Sequence, residues 1–110
     1  MILFDFWASN NQESLLENRE LLDVYKQFRG RGFEIYQVSF DVEKEPWMAA
    51  IESAGLSWIN VSELNPRGSV VALTYNVNRI PANYLIDKSY NIVGKDLYGK
   101  DLIAKLREIL

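Results

Sequence analysis

The sequence predicts an α/β domain: a central mixed sheet of four strands with helices on its faces. Three observations carry this. The opening run "MILFDFW" (1–7) is nearly unbroken apolar sequence rich in aromatic residues, the composition of a strand buried on both faces. A helix-length stretch and a second β-type run follow it, the order of a right-handed parallel crossover unit. The last third holds two short β-type runs around a turn and then an amphipathic segment.

The elements follow in order. After the first strand, "NNQES" offers helix-start chemistry. Asn10 or Asn11 can cap free backbone N–H groups, and Glu13 stands three residues after Asn10, as in a capping box. Leu15, Leu21, Leu22, Tyr25 and Phe28 recur at helical spacing, and "RGRG" (29–32) stops the helix, with Gly30 or Gly32 as its left-handed terminus. "FEIYQVSFDV" (33–42) alternates as a second strand. Asp41 is the expected cap of a helix over 43–54, with Pro46 early, Trp47, Met48 and Ile51 on its apolar side, and Gly55 at its end. "LSWINVSELNP" (56–66) reads as irregular, with room for a short extended piece at 58–61, and 67–75 reads as a short helix. "ANYLID" (82–87) and "IVGKDL" (92–97) are predicted to form a hairpin across "KSYN". In "GKDLIAKLREIL" (99–110), Leu102, Ile103, Leu106 and Ile109 form one helical face.

Composition narrows the chemistry. The 110 residues predict one domain, 1–110, large enough to fold without disulfides or metal. A net charge of −3 and scattered Lys and Arg argue against nucleic acid or an anionic membrane as partner. No apolar run approaches the length of a transmembrane helix, and "MILFDFWA" lacks the basic start of a signal peptide. There is no cysteine and no histidine. Disulfides, thiolate catalysis and Cys-ligated metal are thereby excluded, and so is the commonest base at neutral pH. A metal site from Asp5, Glu13 and Asp41 finds no support in their spacing, and no cofactor is expected.

Four segments resemble a known family. "LFDFWAS" resembles a strand and corner of the form LVDFWAxWCGPC; "KQFRGRGFEIYQVSFD" resembles KGFEVxGVSxD; "GLSWINVSEL" resembles GLxWxxVSDL; and "YNVNRIPANYLIDKSYNIVGKDLYG" resembles YxVxxIPxxFLIDxxGxIVxxxLxG. Together they are similar to the thioredoxin-like superfamily, in particular the bacterial TlpA/ResA-type thiol–disulfide oxidoreductases and the related AhpC/TSA peroxiredoxins. The resemblance covers nearly the whole chain and is most specific in its second half.

At the family's reactive corner the sequence departs. The two cysteines of C-x-x-C would fall at positions 11 and 14, which hold Asn11 and Ser14; the Trp before them is Asn10, and Gly-Pro between them is Gln12-Glu13. Because the whole corner differs, this is the pattern of natural divergence rather than of a simple cysteine replacement. Thiol–disulfide exchange needs an attacking thiolate and a resolving thiol. Asn cannot become a nucleophilic anion, and Ser without a base is a poor one.

The resemblance implies roles for further residues. Asp5 matches the buried acid beneath the cysteine pair; without thiols it reads as a strand carboxylate bonded to water or a side chain, its pKa raised if buried. Pro81, after Ile80, matches the family's cis-proline, beside which extended polypeptide substrates pair with the backbone; the plainer reading is a structural proline. Trp7 lies beside the corner, as a peptide contact or, more simply, a core aromatic, while Trp47 and Trp58 are expected to pack between helix and sheet. Asn11, Gln12, Glu13 and Ser14 read as a polar helix cap. Family members carry a further β element before the first strand found here. The expectation is therefore a domain excised from a larger protein, with 33–42 as an apolar sheet edge open to self-association. A periplasmic or cell-envelope location is implied by the resemblance alone. The reading that results is a binding or structural module without redox activity. The alternatives are an oxidoreductase or peroxiredoxin-type antioxidant enzyme by descent, and an assembly module acting through its sheet edge.

Overall fold

The computed structural model describes residues 1–65, 74–75 and 77–110. Its strands are β1 (Ile2–Trp7), β2 (Glu34–Ser39), β3 (Ile59–Ser62), β4 (Ala82–Ile86) and β5 (Ile92–Lys95), and its helices are α1 (Gln12–Phe28), α2 (Lys44–Ala54) and α3 (Gly99–Ile109). They form one five-stranded sheet in the order β3-β2-β1-β4-β5. β1 runs parallel to β2 and antiparallel to β4, β2 runs parallel to β3, and β4 and β5 form the expected antiparallel hairpin.

The sheet thus has five strands, not four. The extra strand comes from the segment read as irregular: Tyr36 to Ser39 of β2 pair with Ile59 to Ser62, and the Ser62 hydroxyl donates to the Ser39 carbonyl at 3.1 Å. Four residues with two polar side chains give too short an alternation to stand out in sequence. β3 also corrects the position of 33–42. That segment is flanked on both sides, so it is not an edge, and its buried Ile35 and Val38 are interior residues rather than a sticky border. The edges are β3 and β5.

The N-cap of α1 is Asn11, whose Oδ1 accepts from the Ser14 N–H at 2.7 Å. Leu21, Val24 and Phe28 form the buried stripe of α1; Leu15 falls outside it and is 39% exposed. A single 3₁₀ turn, Arg29–Arg31, follows, and Gly32 closes it at φ +85°, a conformation that glycine adopts without a Cβ clash. Asp41 does not cap α2, which starts at an N-cap Glu43 without a side-chain bond. The Asp41 carboxylate accepts instead from the Ser9 N–H at 3.1 Å and from the hydroxyls of Ser9 and Ser39, which ties the corner after β1 to the end of β2. Trp47 and Ile51 of α2 pack on the core, whereas Met48 is exposed; in α3, Leu102 and Leu106 are buried and Ile109 is exposed.

The two sheet faces are covered differently. Leu3, Trp7, Ile35 and Leu85 pack against Leu21, Val24 and Phe28 of α1 and Leu102 and Leu106 of α3, with α2 residues at the margin. Each large apolar side chain buried here contributes about 1.5–3 kcal/mol. The opposite face carries Phe4, Phe6, Tyr36, Val38 and Tyr84, with Phe4 stacked on Tyr36 at 5.3 Å and tilted against Tyr75 at 4.9 Å. The short helix expected over 67–75 falls for the most part outside the described residues.

Removing the Asn11 cap leaves the first turn of α1 with an unpaired N–H. Asn11→Ala is expected to lower stability by about 1 kcal/mol, and Asn11→Asp to retain it, in urea unfolding.

Candidate functional site

The alternation of β1 places Leu3, Asp5 and Trp7 on the face that α1 covers. Register then sets Asp5 beside Gln37 of β2 and Asn83 of β4, three fully buried polar side chains in one row. Gln37 Nε2 donates to Asp5 Oδ2 at 2.9 Å and to Asn18 Oδ1 of α1 at 2.6 Å, while its Oε1 accepts from Trp58 Nε1 at 2.8 Å. Asn83 Nδ2 donates to the Leu97 carbonyl at 2.9 Å and to Glu17 Oε2 of α1 at 3.3 Å, and its Oδ1 accepts from the Leu97 N–H at 3.1 Å.

Glu17 is thereby brought down onto Asp5. Neither Asp5 Oδ1 nor Glu17 Oε1 meets a donor among the described residues, yet the two carboxyls lie within hydrogen-bonding reach of each other. A proton held by one of the two would give both oxygens a partner. Burial pushes Asp5 up to about 7, against the hydrogen bonds from Glu17 and Gln37 that favour its charged form. Burial, and then the neighbouring Asp5 charge, raises Glu17 well above the usual carboxylate range. The two titrate as a pair.

A cleft of about 280 Å³ opens above this pair. One wall is the first half of α1, with Glu13, Leu16, Glu17 and Glu20; the other is Arg79, Ile80 and Pro81, with Tyr98 at one side. The Ile80–Pro81 peptide is cis. The Tyr98 hydroxyl lies 2.7 Å from the Pro81 carbonyl oxygen and 3.2 Å from Asp96 Oδ1. Burial first, and Asp96 second, raise the Tyr98 phenol above its ordinary value, so it keeps its proton and donates. Among the described residues no group of three or more acidic side chains is arranged to hold a metal ion.

The residues singled out from sequence separate into three places. Ile80 and Pro81 line the cleft. Asn11 and Ser14 form the start of α1, where the buried Ser14 Oγ accepts from the Ala8 N–H at 3.4 Å. Asp5 lies below, in the polar row. Trp7 does not reach the surface: its side chain is fully buried in the core, the place of a core aromatic rather than of a surface contact. Sequence reasoning missed Glu17, Tyr98 and the Gln37–Asn83 frame. Glu17 carried a signal, standing one helical turn after Ser14 on the same face; Gln37 carried another, as a polar residue at an inward position of a strand.

The carboxyl pair makes stability depend on pH. The folded state holds a proton that the unfolded chain, with Asp5 at its ordinary 3.8, has already lost. Stability is therefore greatest below about pH 4 with respect to this pair, and it falls as pH rises through about 7. Asp5→Asn, whose amide can still accept from Gln37 and can donate to Glu17, is expected to flatten this slope and to raise stability at pH 8 by on the order of 1–3 kcal/mol, read from urea unfolding across pH.

Comparison with known proteins agrees with this fold. The family model described as thioredoxin-like matches residues 1–92. A thiol-disulfide oxidoreductase from Bacteroides fragilis NCTC 9343 superposes with a TM-score of 0.91 at 31% identity, over 99% of this chain and 80% of that one. The C-terminal domain of a putative thiol-disulfide oxidoreductase from Bacteroides thetaiotaomicron gives 0.90 at 32% identity, over 98% and 75%. A putative thiol:disulfide interchange protein DsbE from Chlorobium tepidum, at 18% identity and a TM-score of 0.79 over 98% and 74%, shares the fold. A search of curated proteins finds no significant match. The chain belongs to the thioredoxin-like family.

Proposed function

We propose that this domain is a TlpA/ResA-type member that acts as a binding module without redox activity and holds an extended polypeptide in the cleft at Ile80 and Pro81. The observation that supports it is a committed corner beside an open cleft. Asn11 Oδ1 is engaged by the Ser14 N–H, and the buried Ser14 Oγ by the Ala8 N–H. The polar groups that replace the thiols thus serve the helix start, and no histidine exists to activate the serine. The cleft beside it has a cis peptide and a hydrogen-bonded Tyr98 in its lining. No hydrogen bond from the Ile80 backbone is found among the described residues, which leaves that peptide unit for a ligand chain to pair with.

The names of the Bacteroides structures favour a second reading, a thiol–disulfide oxidoreductase by descent. That chemistry requires thiols that this chain lacks. Two measurements separate the readings. In a thiol-dependent insulin-reduction assay the protein is expected to match the buffer control; activity above it would sink the binding-module reading. In an amide NMR titration with a blocked alanine–valine pentapeptide, shifts are expected at Arg79, Ile80, Ala82 and along Glu13 to Glu20. Shifts elsewhere, or none, would remove the cleft as the binding site. Asn11→Cys combined with Ser14→Cys is expected to form a disulfide and to gain insulin reduction, since the helix start and the Asp5–Glu17 pair are in place beneath it.

A further inference from the structure

The cleft wall that precedes β4 is held from one side. β5 pairs with β4 only as far as Tyr84, opposite Lys95, and the chain after β5 takes over along the same edge. Asp96, in the left-handed region at φ +51°, begins that segment. Its N–H donates to the Asn83 carbonyl at 2.8 Å, and its Oδ1 accepts from the Asn83 N–H at 3.2 Å. Two residues before Asn83, the interval at which the backbone groups of a strand return to the same edge, the Pro81 carbonyl accepts from the Tyr98 hydroxyl at 2.7 Å. The phenol makes the next bond of the series, beyond the end of β5. It is also the single hydrogen bond found to Ile80 or Pro81 among the described residues, since proline has no N–H and the Ile80 backbone has no partner there. Asp96 Oδ1, the other acceptor near the phenol, is farther at 3.2 Å. The base of this lever is fixed as well. Tyr98 is the N-cap residue of α3, its carbonyl accepts from the Asp101 N–H at 3.1 Å, and α3 is anchored in the core by Leu102 and Leu106.

We propose that Tyr98 is the positioning residue of the cleft: its hydroxyl holds the Pro81 carbonyl and so sets the orientation of the Ile80 peptide unit with which a ligand chain pairs. This rests on the reading of the cleft as a polypeptide groove and adds to it the group that keeps the pairing surface in place. Without the hydroxyl, the wall keeps the pairing of Ala82 with Phe6 at one end, but Ile80 and Pro81 lose their one described tie. A ligand then has to order that peptide unit as it binds, and the cost appears in its affinity. The ring is a separate matter. It lines the cleft in its own right and is retained in Tyr98→Phe, so that substitution isolates the hydroxyl. A second tyrosine supplies the control. Tyr84 donates its hydroxyl to the Tyr75 carbonyl, also at 2.7 Å, and lies outside the cleft lining. A bond that only adds stability has the same kind of effect at either tyrosine. A bond that positions the cleft changes peptide binding at Tyr98 alone.

The test titrates the blocked alanine–valine pentapeptide into the intact protein, Tyr98→Phe and Tyr84→Phe by amide NMR, at a temperature where urea unfolding shows each to be folded. Tyr98→Phe is expected to bind about fivefold more weakly, and Tyr84→Phe to bind as the parent does. In the unliganded Tyr98→Phe protein, the Pro81 carbonyl carbon and the Ala82 amide nitrogen, the two sides of the peptide unit that loses its donor, are expected to shift while the amides of α2 stay in place. Unchanged affinity in Tyr98→Phe would overturn the positioning role and leave the groove reading standing. Equal weakening in both variants would overturn it too, by reducing the hydroxyl to a contribution to general stability. Weaker binding by Tyr98→Phe with no shift at Pro81 or Ala82 in the free protein would overturn it by making the hydroxyl a direct ligand contact. Binding of the peptide by none of the three proteins would remove the groove reading and this inference with it.

Discussion

The helix-covered side of this domain is organised by one amide. Gln37 sits in the middle of the sheet with no exposure to solvent, and its single side chain holds Asp5 of β1, Asn18 of α1 and Trp58 ahead of β3. A buried amide is costly unless its donors and acceptor are met, and here both ends are. The consequence is positional. Three elements are pinned to one point, and Asn83, on the other side of Asp5, pins Leu97 and the approach to α3 in the same row. The apolar residues around this row supply most of the burial free energy, but they tolerate sliding; the directional bonds fix which turn of α1 faces β1. That turn carries Glu17, so the polar row determines what forms the floor of the cleft.

Much of the fold could be read from residue order. The apolar run at 1–7, the glycine stops after α1 and α2, and the hairpin at 82–97 all correspond to elements close to their expected places, because each depends on local chemistry. β3 was legible only as a short extended piece at 58–61 and not as a sheet strand: its four residues pair with β2, a contact that spans more than twenty residues. Asp41 misled because an acid before a helix usually caps it, whereas the hydroxyls of Ser9 and Ser39 outcompete the helix N–H groups for it here. In the site, the cis-proline element was legible as pattern, and so was the polar start of α1. The carboxyl pair was not, since it joins a strand to a helix twelve residues later and depends on a rotation that Gln37 and Asn83 impose.

The corner and the cleft illustrate how separable the parts of such a site are. The start of α1 holds hydrogen bonds that finish a helix at the positions where the resemblance places thiols, and they involve a few consecutive side chains. The cleft is formed by residues from α1, the segment before β4 and the loop before α3, and of positions 10–14 Glu13 alone is in its lining. Two acids kept out of water lie below both. They lower stability near neutral pH relative to an apolar pair, in a chain that has no thiol for them to serve.

Gly99, at the first position of α3, has φ +52°, and a Cβ placed there would come within 2.9 Å of Glu20 Oε2. The residue is not itself part of the cleft lining. Any larger residue would nonetheless displace the Glu20 carboxylate, the movable end of a long side chain, and so redraw the mouth of the cleft from the far side. Variation between descendants of this domain need not touch the groove to alter what passes into it; a single methyl group on a neighbouring helix is enough.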